Sequence, residues 1–318
     1  MMNDLCKVLN IKYPILQGAM GHITTGEFAA TVTNAGGLGV IASAERPIDY
    51  IREQYHIAKS KTDGPVGLNL PFKKSLADDI AQFIIDEKVE IVVASAGSPK
   101  EYVPEWKKHG IKIVSVLSAP EHAVKMNALG VDVIVAEGME SGGRIGKIST
   151  MALVPQIVDI SDVPVVAAGG IGDGRGVAAA FALGASGVQI GTRFLFAKEC
   201  PIHDNYRQAL LNARSSDIVV SGRPYRLGAE ARIIKNKLYE ESIQLEKQGA
   251  PDEKYEELFV GALRRTVFDG DVDYGSPMAG SVAGMFNKIE TVKEIIDDLV
   301  ADYNSQPALS KIVPYETK

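Results

Sequence analysis

The chain is poor in cysteine. Two residues, Cys6 and Cys200, stand in 318. They cannot build a disulfide framework or a four-ligand zinc site, and they suit a reducing compartment. Net positive charge is absent as well: the formal balance is −6. No basic footprint for nucleic acid follows from it. No uncharged apolar run reaches the length of a membrane span, so no membrane association is expected. The first residues, MMNDLCKVLNIKYP, carry charge throughout and lack the apolar stretch of a secretory signal, and a cytoplasmic location is expected. Low-complexity segments are missing too. What remains is ordinary for a globular protein, with 46% hydrophobic and 23% charged residues.

Glycine is what the chain has in quantity, 31 residues in all, and the stretch 163–194 concentrates it. Val163 to Ala168 reads as a strand buried on both faces. Gly169, Gly170, Gly172, Gly174 and Gly176 follow. A helical run of small residues, Val177 to Leu183, stops at Gly184. A second buried strand, Gly187 to Ile190, runs into Gly191-Thr192-Arg193. Glycine lets backbone N–H groups come close to an anion, and helix N-termini favour negative charge. Two such turns side by side predict a phosphate cradle. The spacing departs from G-x-G-x-x-G, and no acidic residue ends a neighbouring strand at the offset a dinucleotide fold requires. One glycine-rich turn also serves tight strand–helix packing; the pairing of GG with GTR on consecutive strands is the more specific observation.

Apolar runs alternate with helical patterns along the rest of the first two hundred residues. Strands are expected at 13–17, 36–42, 65–70, 89–94, 111–116 and 131–136, ahead of the two above. Helices are expected at 24–34, 48–61, 76–87, 99–109, 121–129 and 151–160. Eight strands alternating with helices describe a parallel β/α fold, and a phosphate site at the last two favours a (β/α)8 TIM barrel over a doubly wound sheet. The expected organisation is a barrel over 1–200, completed by 270–318. A smaller helical module, 201–269, lies over the C-terminal mouth and contributes to a substrate lid. Long helices are expected there at 229–247 and 253–266, and a last helix at 292–303.

With these motifs in hand, the chain resembles the flavin-dependent enoyl-[acyl-carrier-protein] reductase II and nitronate monooxygenase family, formerly 2-nitropropane dioxygenase. The resemblance rests on YPILQGAM, AGGLGVI, AEGMESGG, PVVAAGGI, VQIGTRF, IKNKL and GDVDYGSPMAG, and covers nearly the whole chain. It implies FMN at the barrel mouth, with its phosphate on Gly169, Gly170, Gly191 and Thr192. It puts Ala19, Met20 and Asn69 near the isoalloxazine, and Glu137, Gly142 and Gly143 on the same rim. A cytoplasmic oxidoreductase of fatty acid biosynthesis is one implied role, with NADH or NADPH as reductant and a small-molecule or carrier-bound thioester as partner. A homodimer is the expected assembly, and no metal is expected.

One position departs from the family pattern E-G-x-E-A-G-G-H. The run here is Glu137-Gly138-Met139-Glu140-Ser141-Gly142-Gly143-Arg144, with arginine where the proton-transferring histidine is expected. Arginine stays charged and is a poor acid or base near neutrality. It can hold a carboxylate, a phosphate, a nitronate or a developing enolate. Candidate catalytic residues are therefore Arg144, with His22 and Tyr225 as possible proton donors. His22 also reads as a polar rim residue, and Tyr225 as a turn residue beside Pro224. Three functions stay open: reduction of 2-enoyl thioesters, oxidation of alkyl nitronates with oxygen, and flavin binding without efficient turnover. His56, His109, His122 and His203 read as surface residues, and Cys200 as a buried small apolar one.

Overall fold

The computed structural model describes residues 4–71, 77–221 and 230–306. Eleven strands occur among them: β1 (Ile15–Gln17), β2 (Gly39–Ala42), β3 (Val66–Pro71), β4 (Ile91–Ser95), β5 (Lys112–Leu117), β6 (Val133–Glu137), β7 (Gly143–Arg144), β8 (Val165–Ala168), β9 (Gly187–Ile190), β10 (Ile218–Ser221) and β11 (Ala231–Ile234). Eight of them pair in parallel, in the order β1, β9, β8, β6, β5, β4, β3, β2. The sheet closes because the Gln17 N–H donates to the Leu38 carbonyl and the Leu38 N–H to the Ile15 carbonyl. This is the expected TIM barrel, with a strand at each of the eight expected places.

The strands are buried on both faces, so they read as unbroken apolar runs rather than alternating ones. The alternation reappears in what each residue packs against. Val133 and Val135 of β6 join Leu16, Val40, Val93, Val114 and Val166 inside the barrel. Ile134 and Ala136 face the outer helices. Continuing that alternation one step turns Glu137 inward, at the top of the barrel interior. Asn69 on β3 and Ser95 on β4 are joined to each other by a side-chain hydrogen bond. The bottom is plugged by the helix Asp4–Leu9, which the charged N-terminal sequence did not announce: Leu5, Cys6 and Leu9 sit in the interior cluster.

The glycines after β8 divide into two groups with different reasons. Gly169 and Gly170 have φ of 91° and 75° and turn the chain at the strand end. Gly174 and Gly176 instead belong to the helix Gly174–Ala182, which begins before the expected Val177. A Cβ on Gly174 would lie 2.2 Å from the backbone nitrogen of Tyr303. Close packing of the last helix, Val292–Ser305, requires glycine there. That helix is capped by a reciprocal pair, Thr291 and Glu294.

Between 201 and 269 the chain differs from the all-helical expectation. Residues 231–234 form β11, antiparallel to β10, and β11 pairs in turn with β7. The run Ala231-Arg232-Ile233-Ile234 is buried throughout and ends in two β-branched isoleucines, which suit a strand better than a helix. The helix starts only at Lys237, where the Asn236 side chain caps it by accepting from the Tyr239 N–H. The expected helix 253–266 is also broken, into Asp252–Phe259 and Ala262–Arg264, by Gly261 at φ 67°.

Candidate active site at the barrel mouth

Four segments converge beyond the C-terminal ends of β6, β8 and β9. A Cβ on Gly169 would lie 2.8 Å from the Gly138 carbonyl oxygen and 3.1 Å from the Ser141 nitrogen. One on Gly280 would lie 2.9 Å from the Thr192 hydroxyl oxygen and 3.1 Å from the Gly142 nitrogen. One on Gly142 would lie 2.7 Å from the Gly280 nitrogen. The loops are thus packed backbone to backbone, which only glycine permits.

Side chains fix this arrangement. The Glu140 carboxylate accepts from the Thr150 N–H at 2.9 Å and its hydroxyl at 2.8 Å. Its backbone carbonyl accepts from the Ser281 N–H. The Thr192 hydroxyl oxygen accepts from the Gly280 N–H at 2.9 Å, which leaves its proton free to donate elsewhere. Arg193 forms a buried ion pair with Glu290 beneath the ring of Phe286. Burial pushes the Glu290 carboxyl up, but hydrogen bonds from Lys288 and Arg193 outweigh it and hold the group below its usual value. Arg232 donates to the Met139 carbonyl at 2.7 Å and ties β11 to the loop after β6.

The residues implied for FMN fit a phosphate-bearing flavin. Gly169, Gly170, Gly191 and Thr192 lie at neighbouring strand ends. The Ser141 hydroxyl is buried without a partner next to Gly169, a polar atom awaiting an acceptor or donor. One part of the expected cradle is different. The N-terminus of the helix Gly174–Ala182 is already occupied by the Asp173 carboxylate, which accepts from the Arg175 and Gly176 N–H groups. That helix end is therefore taken, and a phosphate here would meet loop backbone and hydroxyls instead.

The end of β1 comes to the same place. A Cβ on Gly18 would lie 3.6 Å from Gly191, and one on Gly191 would lie 3.8 Å from the Met20 sulfur. That brings Ala19 and Met20 beside the turn at Gly191. Asn69 is fixed across the sheet, donating to the Val93 carbonyl and the Ser95 hydroxyl, both at 2.9 Å. Glu137 shares this inner rim. Burial by the barrel wall pushes its carboxyl up to about 7, so the group is largely protonated in mildly acidic solution.

Arg144 is exposed on β7, directly after Gly142 and Gly143, opposite Ala231. No described residue pairs with its guanidinium. His22 lies elsewhere, on the rim above β1 and β2. Its Nε2 is 3.7 Å from a Glu45 oxygen, too far for a hydrogen bond, and its ring packs edge-on against Phe268. Burial, reinforced by Arg46, lowers its pKa. Tyr225 falls outside the described residues. Cys200 is buried, and burial pushes its thiol up to about 12, as expected of an inert residue. Ser141, Thr150 and Gly280 were not legible as site residues, because their roles depend on loops brought together from distant parts of the chain.

The match to known sequences follows the same contour. The pattern of the family described as Nitronate monooxygenase matches residues 3–84 and 81–302. The chain belongs to this family. It is an oxidoreductase of a group that is flavin-dependent in general. It is 30% identical over 335 residues to the (3aS,4S,5R,7aS)-5-hydroxy-7a-methyl-1-oxo-octahydro-1H-indene-4-carboxyl-CoA dehydrogenase of Rhodococcus jostii, covering 94% of each chain. It is 32% identical to a probable nitronate monooxygenase of Staphylococcus saprophyticus, covering 81% of this chain and 85% of that one. The structure of FabK from Thermotoga maritima superimposes with a TM-score of 0.91 at 39% identity, covering 96% of both. No helix among the described residues is long and apolar enough to cross a membrane.

Proposed function

We propose that this protein is an FMN-dependent, NAD(P)H-consuming reductase of 2-enoyl thioesters. The observation that carries the reading is Arg144: a cation without a described partner, presented by the strand that continues the flavin loop. The likeness to FabK, an enoyl-[acyl-carrier-protein] reductase II, and to a relative named for an acyl-CoA substrate supports the thioester class.

Bound flavin supplies the two-electron carrier between the nicotinamide and the β-carbon. The protein's own residues do the rest. Gly169, Gly170, Gly191, Thr192 and Ser141 would hold its phosphate. Met20, in the loop after β1, and Asn69, on β3, would orient its ring. Glu137, its carboxyl pushed up to about 7 by burial, carries a proton in mildly acidic solution. Arg144 donates to the thioester carbonyl oxygen and stabilises negative charge as it develops there. The α-carbon takes its proton from solvent at the mouth, since an arginine cannot supply it.

The test is steady NAD(P)H oxidation that requires an enoyl thioester such as crotonyl-CoA. Replacing Arg144 with alanine is expected to lower kcat/KM for the thioester by ~10- to 100-fold, the worth of a charge-assisted hydrogen bond, and to leave flavin reduction by NAD(P)H unchanged. Absence of turnover with thioesters of several chain lengths contradicts the reading.

A second reading has its own support. An arginine with no partner among the described residues can hold a pre-formed nitronate, whereas a neutral nitroalkane needs a base, which arginine is not. Oxygen consumption with alkyl nitronates, absent with nitroalkanes and independent of NAD(P)H, identifies the nitronate monooxygenase activity.

A further inference from the structure

A second cluster stands on the rim above β1 and β2, apart from the cradle. It joins His22, Glu45, Arg46 and Tyr50 to the turn 262–269. Arg46 has its guanidinium carbon 4.2 Å from the Tyr50 ring centre and 5.4 Å from that of Phe268. Arg264 lies 5.7 Å from the same Phe268 ring and 3.9 Å from Asp269. Stacking holds a guanidinium by its faces and leaves its in-plane N–H groups to bond elsewhere. No described residue accepts a hydrogen bond from the Arg46 side chain, and its Nε is buried without a partner. The His22 Nδ1 is buried and unpartnered as well, on a side chain only 8% exposed.

The backbone marks the same place. His22 and Glu45 have φ of 62° and 60°, left-handed conformations that a non-glycine residue adopts at a cost, and they face each other across the cluster. The turn Arg265–Asp269 is a single π-helical turn, a local geometry frequent at functional sites. Phe268 is 43% exposed although it is the ring on which both arginines converge. A Cβ on Gly21 would lie 3.7 Å from Leu263, so the turn is seated directly on the loop after β1.

Two guanidiniums within 6 Å of one exposed ring, with unused donors, match a phosphate group joined to a planar base. We propose that this cluster binds the phosphate-bearing portion of an adenine nucleotide, the moiety that NAD(P)H and acyl-CoA have in common. Arg46 and Arg264 contact phosphate oxygens, His22 donates or accepts one further hydrogen bond, and the base stacks on the guanidinium–aromatic platform. The assignment rests on the reductase reading for its two candidate sources, but the binding event is independent of turnover.

The experiment titrates the purified holoenzyme with ADP by calorimetry, with no reductant or acceptor present. Wild type is expected to bind, and R46A and R264A to bind about 10-fold more weakly, since each removes charge-assisted hydrogen bonds. Arg264 is exposed, so its replacement leaves the fold intact even where loss of Arg46 does not, and flavin content and melting temperature report this. A raised KM for NAD(P)H in the variants, with that for crotonyl-CoA unchanged, makes the nicotinamide cofactor the source. The converse pattern, with crotonyl-pantetheine insensitive to both substitutions, makes it acyl-CoA. No ADP binding by wild type, or wild-type affinity in both variants, overturns the assignment. Failure of the reductase reading shows separately, as wild-type flavin that neither nicotinamide bleaches.

Discussion

Glu137 and Arg144 stand seven residues apart and carry opposite lessons. Glu137 was expected on the flavin rim only by resemblance. The structure gives its setting, an inward position two residues beyond Val135 at the top of the barrel wall. Burial pushes its carboxyl up to about 7 in the folded chain, against ~4.3 in an unfolded one. Between those values the folded protein holds the extra proton. Stability therefore falls as pH rises through the window, by at most roughly 1.4 kcal/mol per unit, and levels off above it. Urea unfolding of wild type and E137Q between pH 5 and 8 checks this. The glutamine variant is expected to show a flatter profile, and superimposable profiles would falsify the role given to burial. Arg144 was visible as a departure from a pattern, and the structure gives its setting: an edge residue of a three-stranded sheet built with β10 and β11. Replacing it with histidine is expected to raise the rate of any step limited by proton transfer, within the ~100- to 10,000-fold span of general acid catalysis. An unchanged rate places proton delivery elsewhere.

Two glycines five positions apart separate binding from packing at the level of the element. Gly169→Ala strains a residue at φ 91° and drives a methyl group to within 2.8 Å of the Gly138 carbonyl. It is expected to lower flavin content on purification sharply. Gly174→Ala collides instead with the backbone of Asp302 and Tyr303. It is expected to cost ~1–3 kcal/mol of stability, the usual toll of overpacking, with flavin content retained in the folded fraction. Absorbance-to-protein ratios and melting curves distinguish the two. The sequence shows why this distinction was hidden. All five glycines of 169–176 read as one loop, because the partner that demands Gly174 lies more than a hundred residues away. The same distance effect concealed β11. Its four residues pair with β7 and β10, and the charged helix that follows lent them its own periodicity. Barrel strands were legible because each is a continuous apolar run, set by its burial on both faces and needing no knowledge of its partner.

At the scale of the whole molecule, the C-terminal segment closes the account. It returns from the 201–269 module, threads past Thr192 at Gly280, pairs Glu290 with Arg193, and ends as a helix against Gly174–Ala182. Cradle and barrel closure therefore share one tether. Arg193→Met leaves the buried Glu290 carboxylate with Lys288 as its remaining ionic partner and is expected to cost ~1.5–3 kcal/mol, the worth of a hydrogen bond to a charged group, read by denaturant unfolding, with flavin loss accompanying it. A cost below ~1 kcal/mol contradicts the tether. The central claim, that this fold passes electrons from a nicotinamide to an enoyl thioester through FMN, meets its most direct test in one anaerobic cuvette. NADH or NADPH is added to the yellow protein and the visible flavin band is followed, then crotonyl-CoA is added. Bleaching by a nicotinamide and recovery of colour on adding the thioester is the predicted result. Flavin that neither nicotinamide bleaches, or that bleaches and recovers its colour only when oxygen is admitted, contradicts it.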